Sequence, residues 1–414
     1  MQQMIKENIN EPKILEKLYR DNKTEFKKAF NLLYHDTAKT PLLQAWHERL
    51  NFVPEEITET NYTELAVVII ASFVAGLIAK IPSITSIDET VFYPRNLAFI
   101  VFPALTAYFA WRQKLTLKQI LVPFTLIIIA AIFINCLPDL KKSDSLLLSC
   151  IHLPLFLWSI FGFVFVGASL QQKQKRLNFL RYNGDLLVMV ILILMAGALL
   201  TSITLGLFSL INFDIHRFYI QYVVVWGLSA SPVVGSYLVQ NNPQLVNRVS
   251  PIIAKVFTPI VFATLVIYLV AVIISGKDPY KDRDFLMIFN LLLIGVMAII
   301  LFSISERSTQ KNNQFTYAML FGLSLVTIII NTIALSAILF RIGSWGITPN
   351  RLAVLGGNVL ILLNLIFVCH YLFKTVRDEN QIEKAENSIA GFLPIYTAWT
   401  VVVTFIFPLV FGFN

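Results

Sequence analysis

The sequence predicts an all-α fold: a polytopic transmembrane helical bundle of about 11 spans behind a short soluble N-terminal helical segment. Three observations predict it. The 414 residues are 56% hydrophobic and only 14% charged, whereas a soluble globular chain carries about 25% charged residues. The mean hydropathy of +0.69 agrees. Apolar runs of about 20 residues recur along the chain, the length a helix rising about 1.5 Å per residue needs to cross a core of about 30 Å. The charges also collect between those runs and at the amino terminus, as they do when cations are kept at the aqueous ends of spans. Nine of the 33 Lys and Arg lie in the first 60 residues. A formal charge of +8 distributed in this way argues against a nucleic-acid partner. Membrane lipids are the expected partners.

Residues 1–62 read as a polar cytoplasmic leader of three short helices. Pro12 to Arg20 places Ile14, Leu15, Leu18 and Tyr19 on one stripe. The segment from Thr24 to Tyr34 does the same with Phe26, Phe30, Leu33 and Tyr34. The third starts with Thr40 as N-cap and Pro41 at the first helical position, and presents Leu42, Leu43, Trp46 and Leu50. Helices this short are marginal alone, so they are expected to pack together as a cap. A module that docks a protein partner is the alternative. The amino terminus lacks the pattern of a cleaved signal peptide, so the first span is expected to direct insertion.

Residues 63–414 form the membrane domain. Its spans are expected near 64–82, 96–112, 119–137, 147–169, 185–207, 218–239, 252–275, 285–304, 315–339, 352–373 and 390–411, the second being the shortest. None shows the alternation of a membrane β-barrel. With the amino terminus in the cytoplasm, the inner loops carry 14 cations beyond the leader's nine, against about ten outside. The run Lys173, Lys175, Arg176, Arg181 is the largest inner contribution. This bias places the leader inside and Asn414 outside.

Ionisable groups inside a span are candidates for function by default. No carboxylate falls mid-span in this reading, because Asp185, Asp284 and Glu306 sit at ends. A coupled carrier usually exchanges its ion at a buried carboxylate, so their absence argues against one. Lys255 stands near a span four residues after Pro251; snorkelling explains it, and contact with lipid phosphate is the functional reading. His152 and His370 have no partner motif such as HExxH. The three cysteines, Cys136, Cys150 and Cys369, show no metal-ligand spacing. No metal and no cofactor is expected.

The sixth span is the most unusual, reading Trp226 to Ser236 as WGLSASPVVGS. Gly227, Ser231 and Gly235 recur every four residues, a stripe that lets helices approach closely. Pro232 frees a carbonyl about four residues earlier, for a hydroxyl or water to recapture. A broken helix lining a transport cavity, with Ser229 and Ser231 on its wall, is the functional alternative to packing around a kink. The spacing is not a nucleophile elbow. Asn290, Asn331, Asn358 and Asn364 suit interhelical hydrogen bonding.

Before the tenth span, Phe340 to Arg351 reads as a turn. Gly343 and Gly346 relax the backbone, Trp345 suits the interface, Thr348 caps the next helix and Pro349 opens it. Arg341 and Arg351 bracket the turn and could reach headgroup phosphates. The stretch Trp345, Gly346, Ile347, Thr348 and Arg351 resembles the aromatic-Gly-hydrophobic-Thr-x-x-Arg turn of a bacterial multi-pass family known only as domain of unknown function 4153. That resemblance implies a protein of the bacterial cytoplasmic membrane, and no activity, substrate or cofactor. The favoured reading is a non-catalytic scaffold, sensor or envelope-maintenance component. A transporter is the runner-up, and an intramembrane enzyme acting on lipid comes third.

Overall fold

A computed structural model describes residues 1–36, 40–51, 62–138, 143–168, 172–210, 213–242, 258–267, 269–270, 274, 283–305, 314–378 and 381–413. Nearly all of these are helical, and no strand occurs among them. The chain divides into two compact units, Met1–Leu65 and Ala66–Asn414.

The first unit contains four helices before the first span rather than three: α1 (Gln2–Glu7), α2 (Pro12–Asp21), α3 (Lys23–Asp36) and α4 (Pro41–Asn51). Thr40 caps α4 as expected, its Oγ1 accepting from Leu43 N at 3.4 Å with Pro41 at the first helical position. The apolar stripes converge on a core of Ile5, Leu15, Phe26, Phe30, Leu43, Trp46 and Leu50. Ile14 stays outside it, exposed. The Arg49 guanidinium lies 4.7 Å from the Trp46 ring centroid and 5.2 Å from that of Tyr19, while its Nη1 meets Glu16 at 2.9 Å. Arg20 binds the same carboxylate at 2.8 Å. These two arginines, Arg20 above all, hold the Glu16 carboxyl below its usual range. A depressed carboxyl stabilises the folded unit above its unfolded value and loses that contribution as pH falls through its folded value. Glu16→Gln is therefore expected to lower the leader's melting temperature at neutral pH, with the gap to wild type closing in acid. A pH series of thermal melts on the full chain checks this.

The second unit is a helical bundle. After α5 (Tyr62–Ala79) come α6 (Ile81–Thr85), α7 (Glu89–Arg112), α8 (Leu117–Cys136), α9 (Asp144–Phe165) and α10 (Lys173–Leu210). They are followed by α11 (His216–Asn241), α12 (Thr258–Ile267), α13 (Arg283–Ser305), α14 (Gln314–Trp345), α15 (Pro349–Arg377) and α16 (Ile382–Val410). Eight helices among the described residues are long and apolar enough to cross a membrane: α5, α8, α9, α10, α11, α14, α15 and α16. The other three expected spans correspond to α7, α12 and α13. Of the seventh span, 252–275, the structure describes a short apolar helix, Thr258–Ile267. The second span is longer than its sequence suggested. Asp88 opens α7 by accepting from Thr90 N at 2.8 Å, and the helix runs 24 residues through Pro94 and Pro103. That is roughly 36 Å.

Four apolar clusters carry the bundle among the described residues, two of them larger than the others. One gathers Tyr108, Phe109, Phe161, Phe179, Tyr182 and Val233. The other gathers Ile300, Leu320, Leu323, Leu365, Leu372 and Ile389. Outside them, α10 turns Leu192, Met195, Leu199 and Leu200 outward, each at least half exposed. A row of exposed large aliphatics along a helix is costly in water and ordinary against lipid.

Glycines set close approaches where aromatic rings meet backbone. A Cβ on Gly356 would overlap the Trp399 indole, and one on Gly76 would overlap Trp226. The expected stripe of the sixth span is realised only in part. Gly235 packs on Leu186 and Val190, but Gly227 faces open space.

Candidate functional site

In lipid, a backbone carbonyl that loses its helical partner must find another donor. Proline creates such carbonyls four residues upstream, and this bundle answers them with specific side chains. Pro232 leaves Leu228 O open, and Ser231 Oγ donates to it at 2.9 Å. Pro408 leaves Thr404 O open inside a π-helical turn, Val402–Ile406, and Ser149 Oγ on α9 donates to it at 2.8 Å. Pro394 leaves Ala390 O open, and Arg176 Nη1 reaches across from α10 to donate at 2.9 Å. Ser149→Ala removes one such donor and is expected to destabilise the bundle by about 1 kcal/mol. A lower melting midpoint in detergent is the readout.

The same rule accounts for cations that a span would otherwise mark as functional. Lys80 is buried; its Nζ donates to Gln221 O at 3.1 Å and lies 4.6 Å from the Tyr222 ring centroid. Both partners belong to a second π-helical turn, Tyr219–Val224. Buried Arg95 donates from Nη1 to Leu137 O at 2.9 Å and Ile134 O at 3.4 Å, at the end of α8. Arg351 Nη1 donates to Trp345 O at 2.9 Å and Gly346 O at 2.6 Å, at the end of α14. Positive charge at helix C-termini also complements the macrodipole. A lysine and three arginines, counting Arg176, thus fasten helix ends and irregular turns.

The sequence-derived candidates fall into separate places. Ser229 and Ser231 are buried on α11 and turn back onto their own helix, Ser229 Oγ donating to Val225 O at 2.8 Å. Ser236, one turn on, bonds Pro232 O and meets Tyr182 Oη at 2.5 Å. Lys255 lies outside the described residues. Arg341, Trp345 and Arg351 do come together. The exposed Trp345 ring has Arg341 at 5.7 Å and Arg351 at 5.8 Å from its centroid. The expected turn is shorter than its sequence implied, because α14 continues through Phe340 and Gly343 to Trp345. Only Gly346, at φ +80°, uses glycine's freedom. Thr348 caps α15 by accepting from Arg351 N at 3.3 Å, with Pro349 in the first turn.

Two carboxylates are buried on α10 and α16. Asp185 opens the expected span 185–207 but not its helix: α10 starts at Lys173 and runs 38 residues without a break, with Asp185 buried inside it. At roughly 57 Å, α10 exceeds a bilayer core. Glu386 on α16 is buried as well, within reach of the Arg181 charge. The interior therefore holds carboxylates, on two helices that pack together. Sequence reasoning missed Glu386 because it sits beside Lys384 in the segment 373–389 that reads as a loop, and it read Asp185 as a span end.

Elsewhere the polar interior is amide glue. Asn358 Nδ2 donates to Asn290 Oδ1 at 2.8 Å, Asn331 Nδ2 to Asn358 O at 3.1 Å, and Asn364 Nδ2 to Tyr396 Oη at 3.0 Å. Asn96 and Asn135, unremarked in the sequence, exchange reciprocal bonds at 2.9 Å between α7 and α8. His152 Nδ1 sits 2.9 Å from Leu148 O on its own helix. Among the described residues, no group of three His, Cys, Asp or Glu side chains is placed to hold a metal.

Comparison with protein-family models finds no match. Neither the curated proteins nor the solved structures contain a match to this chain.

Proposed function

We propose that this chain is a multi-pass protein of the bacterial cytoplasmic membrane, crossing about eleven times, that acts without catalysis as a scaffold, sensor or envelope-maintenance component. The eight long apolar helices carry the membrane part of this reading. Counting α7, the expected seventh span at 252–275 and α13 as crossings gives eleven. The cation bias then puts the leader inside and the carboxyl terminus outside. The turn from Trp345 to Arg351, with its Thr348 cap, remains the basis for proposing membership of the family known as domain of unknown function 4153. The leader buries most of its own apolar stripes, which favours a cytoplasmic cap over a docking module.

The observation that carries the non-transport reading is the sixth span. Hydroxyls of Ser229, Ser231 and Ser236 all bond backbone carbonyls of their own helix, and of the two cavities described neither is lined by Ser229 or Ser231. Ser231→Leu tests it. In a packed helix the larger side chain is expected to cost at least about 1 kcal/mol, read as a lowered melting midpoint in detergent. An unchanged midpoint would indicate a cavity there and favour transport. The transporter reading has one observation of its own, the carboxylates Asp185 and Glu386 buried on two packed helices, with the Arg181 charge within reach of Glu386.

A further inference from the structure

Between α8, α9, α10 and α16 lies a cavity of about 320 Å³. It is open on one side rather than an enclosed void, and a mostly apolar cleft of this size falls in the range of about 300–1,000 Å³ that holds small ligands. Its lining is largely hydrocarbon and aromatic: Val122 and Leu126 of α8, Phe156 of α9, Phe179 of α10 and Leu393 of α16. Leu126 and Val122 are themselves well exposed on the outer surface of α8, so this wall borders the lipid.

The few polar groups are ordered. Ser159 and Thr397 bond each other at 3.0 Å, and Trp158 Nε1 donates to Asn183 Oδ1 at 2.9 Å. The charged group in the lining is Arg176, already fixed by its bond to Ala390 O. A guanidinium forks across more than one acceptor, so one side chain can hold a helix and an anionic oxygen together.

The cavity also lies at the basic end of the bundle. Its lining comes from the middle of α16, the second and third turns of α8, the first two turns of α10 and the last three turns of α9. Those ends are joined to segments 112–118 and 173–181, which hold three and four Lys and Arg. An apolar slot open toward lipid, beneath cations at one membrane face, matches a two-part ligand with an anionic head and a hydrocarbon tail.

We propose that this cavity holds an acyl chain of one anionic diacyl phospholipid, with its phosphate at Arg176. This rests on the membrane-spanning reading above. It adds to that reading a defined lipid site away from Trp345.

The test uses the full-length protein exchanged into equal phosphatidylglycerol and phosphatidylcholine, with retained lipid counted by native mass spectrometry. Wild type is expected to keep one phosphatidylglycerol per chain, about tenfold over phosphatidylcholine. Leu126→Trp, which fills the slot, is expected to lose it; Val122→Trp serves if that variant does not elute as a folded monodisperse species. Arg176→Gln leaves a donor for Ala390 O and is expected to bind both lipids equally. Equal retention of the two lipids by wild type, undiminished retention by a filled-cavity variant, or a preference surviving in Arg176→Gln would each overturn the proposal. Release of the chain from membranes by a carbonate wash would instead defeat the membrane-spanning reading itself.

Discussion

Trp46→Ala is expected to unfold the leader while leaving the membrane unit intact. Trp46 is 5% exposed and touches three other aromatic rings, with centroids at 5.5 Å from Tyr19, 5.2 Å from Phe26 and 6.5 Å from Phe30. It also carries Arg49 over its face. Truncating a buried tryptophan to alanine costs about 3–5 kcal/mol. A helical unit of this size has little more than that to lose. Limited proteolysis is the direct readout, because a collapsed leader should be cut within residues 1–51 while the remainder stays protected. Leader fragments as resistant as wild type would mean that the aromatic cluster does not hold these helices together.

The second large effect is expected at Arg95. An arginine buried in a span ordinarily suggests an ion path. Here its guanidinium instead serves the last carbonyls of α8, Ile134 O and Leu137 O. Removing a charged donor from buried acceptors costs about 2–3 kcal/mol. Arg95→Ala should therefore lower the melting midpoint of the purified protein more than Ser149→Ala does. Arg95→Lys should recover part of the loss, since a lysine reaches one carbonyl but cannot fork across two. A role in conduction rather than packing would leave stability unchanged in Arg95→Ala, and that outcome would overturn the assignment.

Where a signal is local, the sequence was a good guide to the structure. Thr40 with Pro41, and Thr348 with Pro349, marked the starts of α4 and α15 because capping depends on residues within one turn. Pro232 announced a freed carbonyl, and Ser231 three residues away was there to take it. The four asparagines foretold interhelical bonds, although not which carbonyl or amide each would meet.

What depends on a distant partner was hidden. Helix α7 begins seven residues before the expected span because Asp88 caps it and because Arg95 has acceptors on α8, about 40 residues away in the chain. The six-residue α1 has no periodicity long enough to read, yet it delivers Ile5 to the leader core. Arg176 read as a loop residue and Asp185 as the first residue of a span, since a charged run normally ends a span. The structure instead extends α10 through them, and α16 supplies the carbonyl that Arg176 satisfies. Of the candidate site, Arg341, Trp345 and Arg351 could be placed together from their spacing. The proline-linked bolt at Arg176 required a pairing of residues 214 positions apart.

The central claim is the threading of the chain through the bilayer, and α7 is where it is most exposed to test. With the three native cysteines replaced, single cysteines at positions 88, 114, 175 and 347 can be treated with a membrane-impermeant maleimide in intact bacterial cells. Positions 88 and 347 should label in intact cells, and positions 114 and 175 only after permeabilisation. Labelling of 88 and 114 from the same side would mean that Glu89–Arg112 does not cross, and the eleven-span account would be wrong.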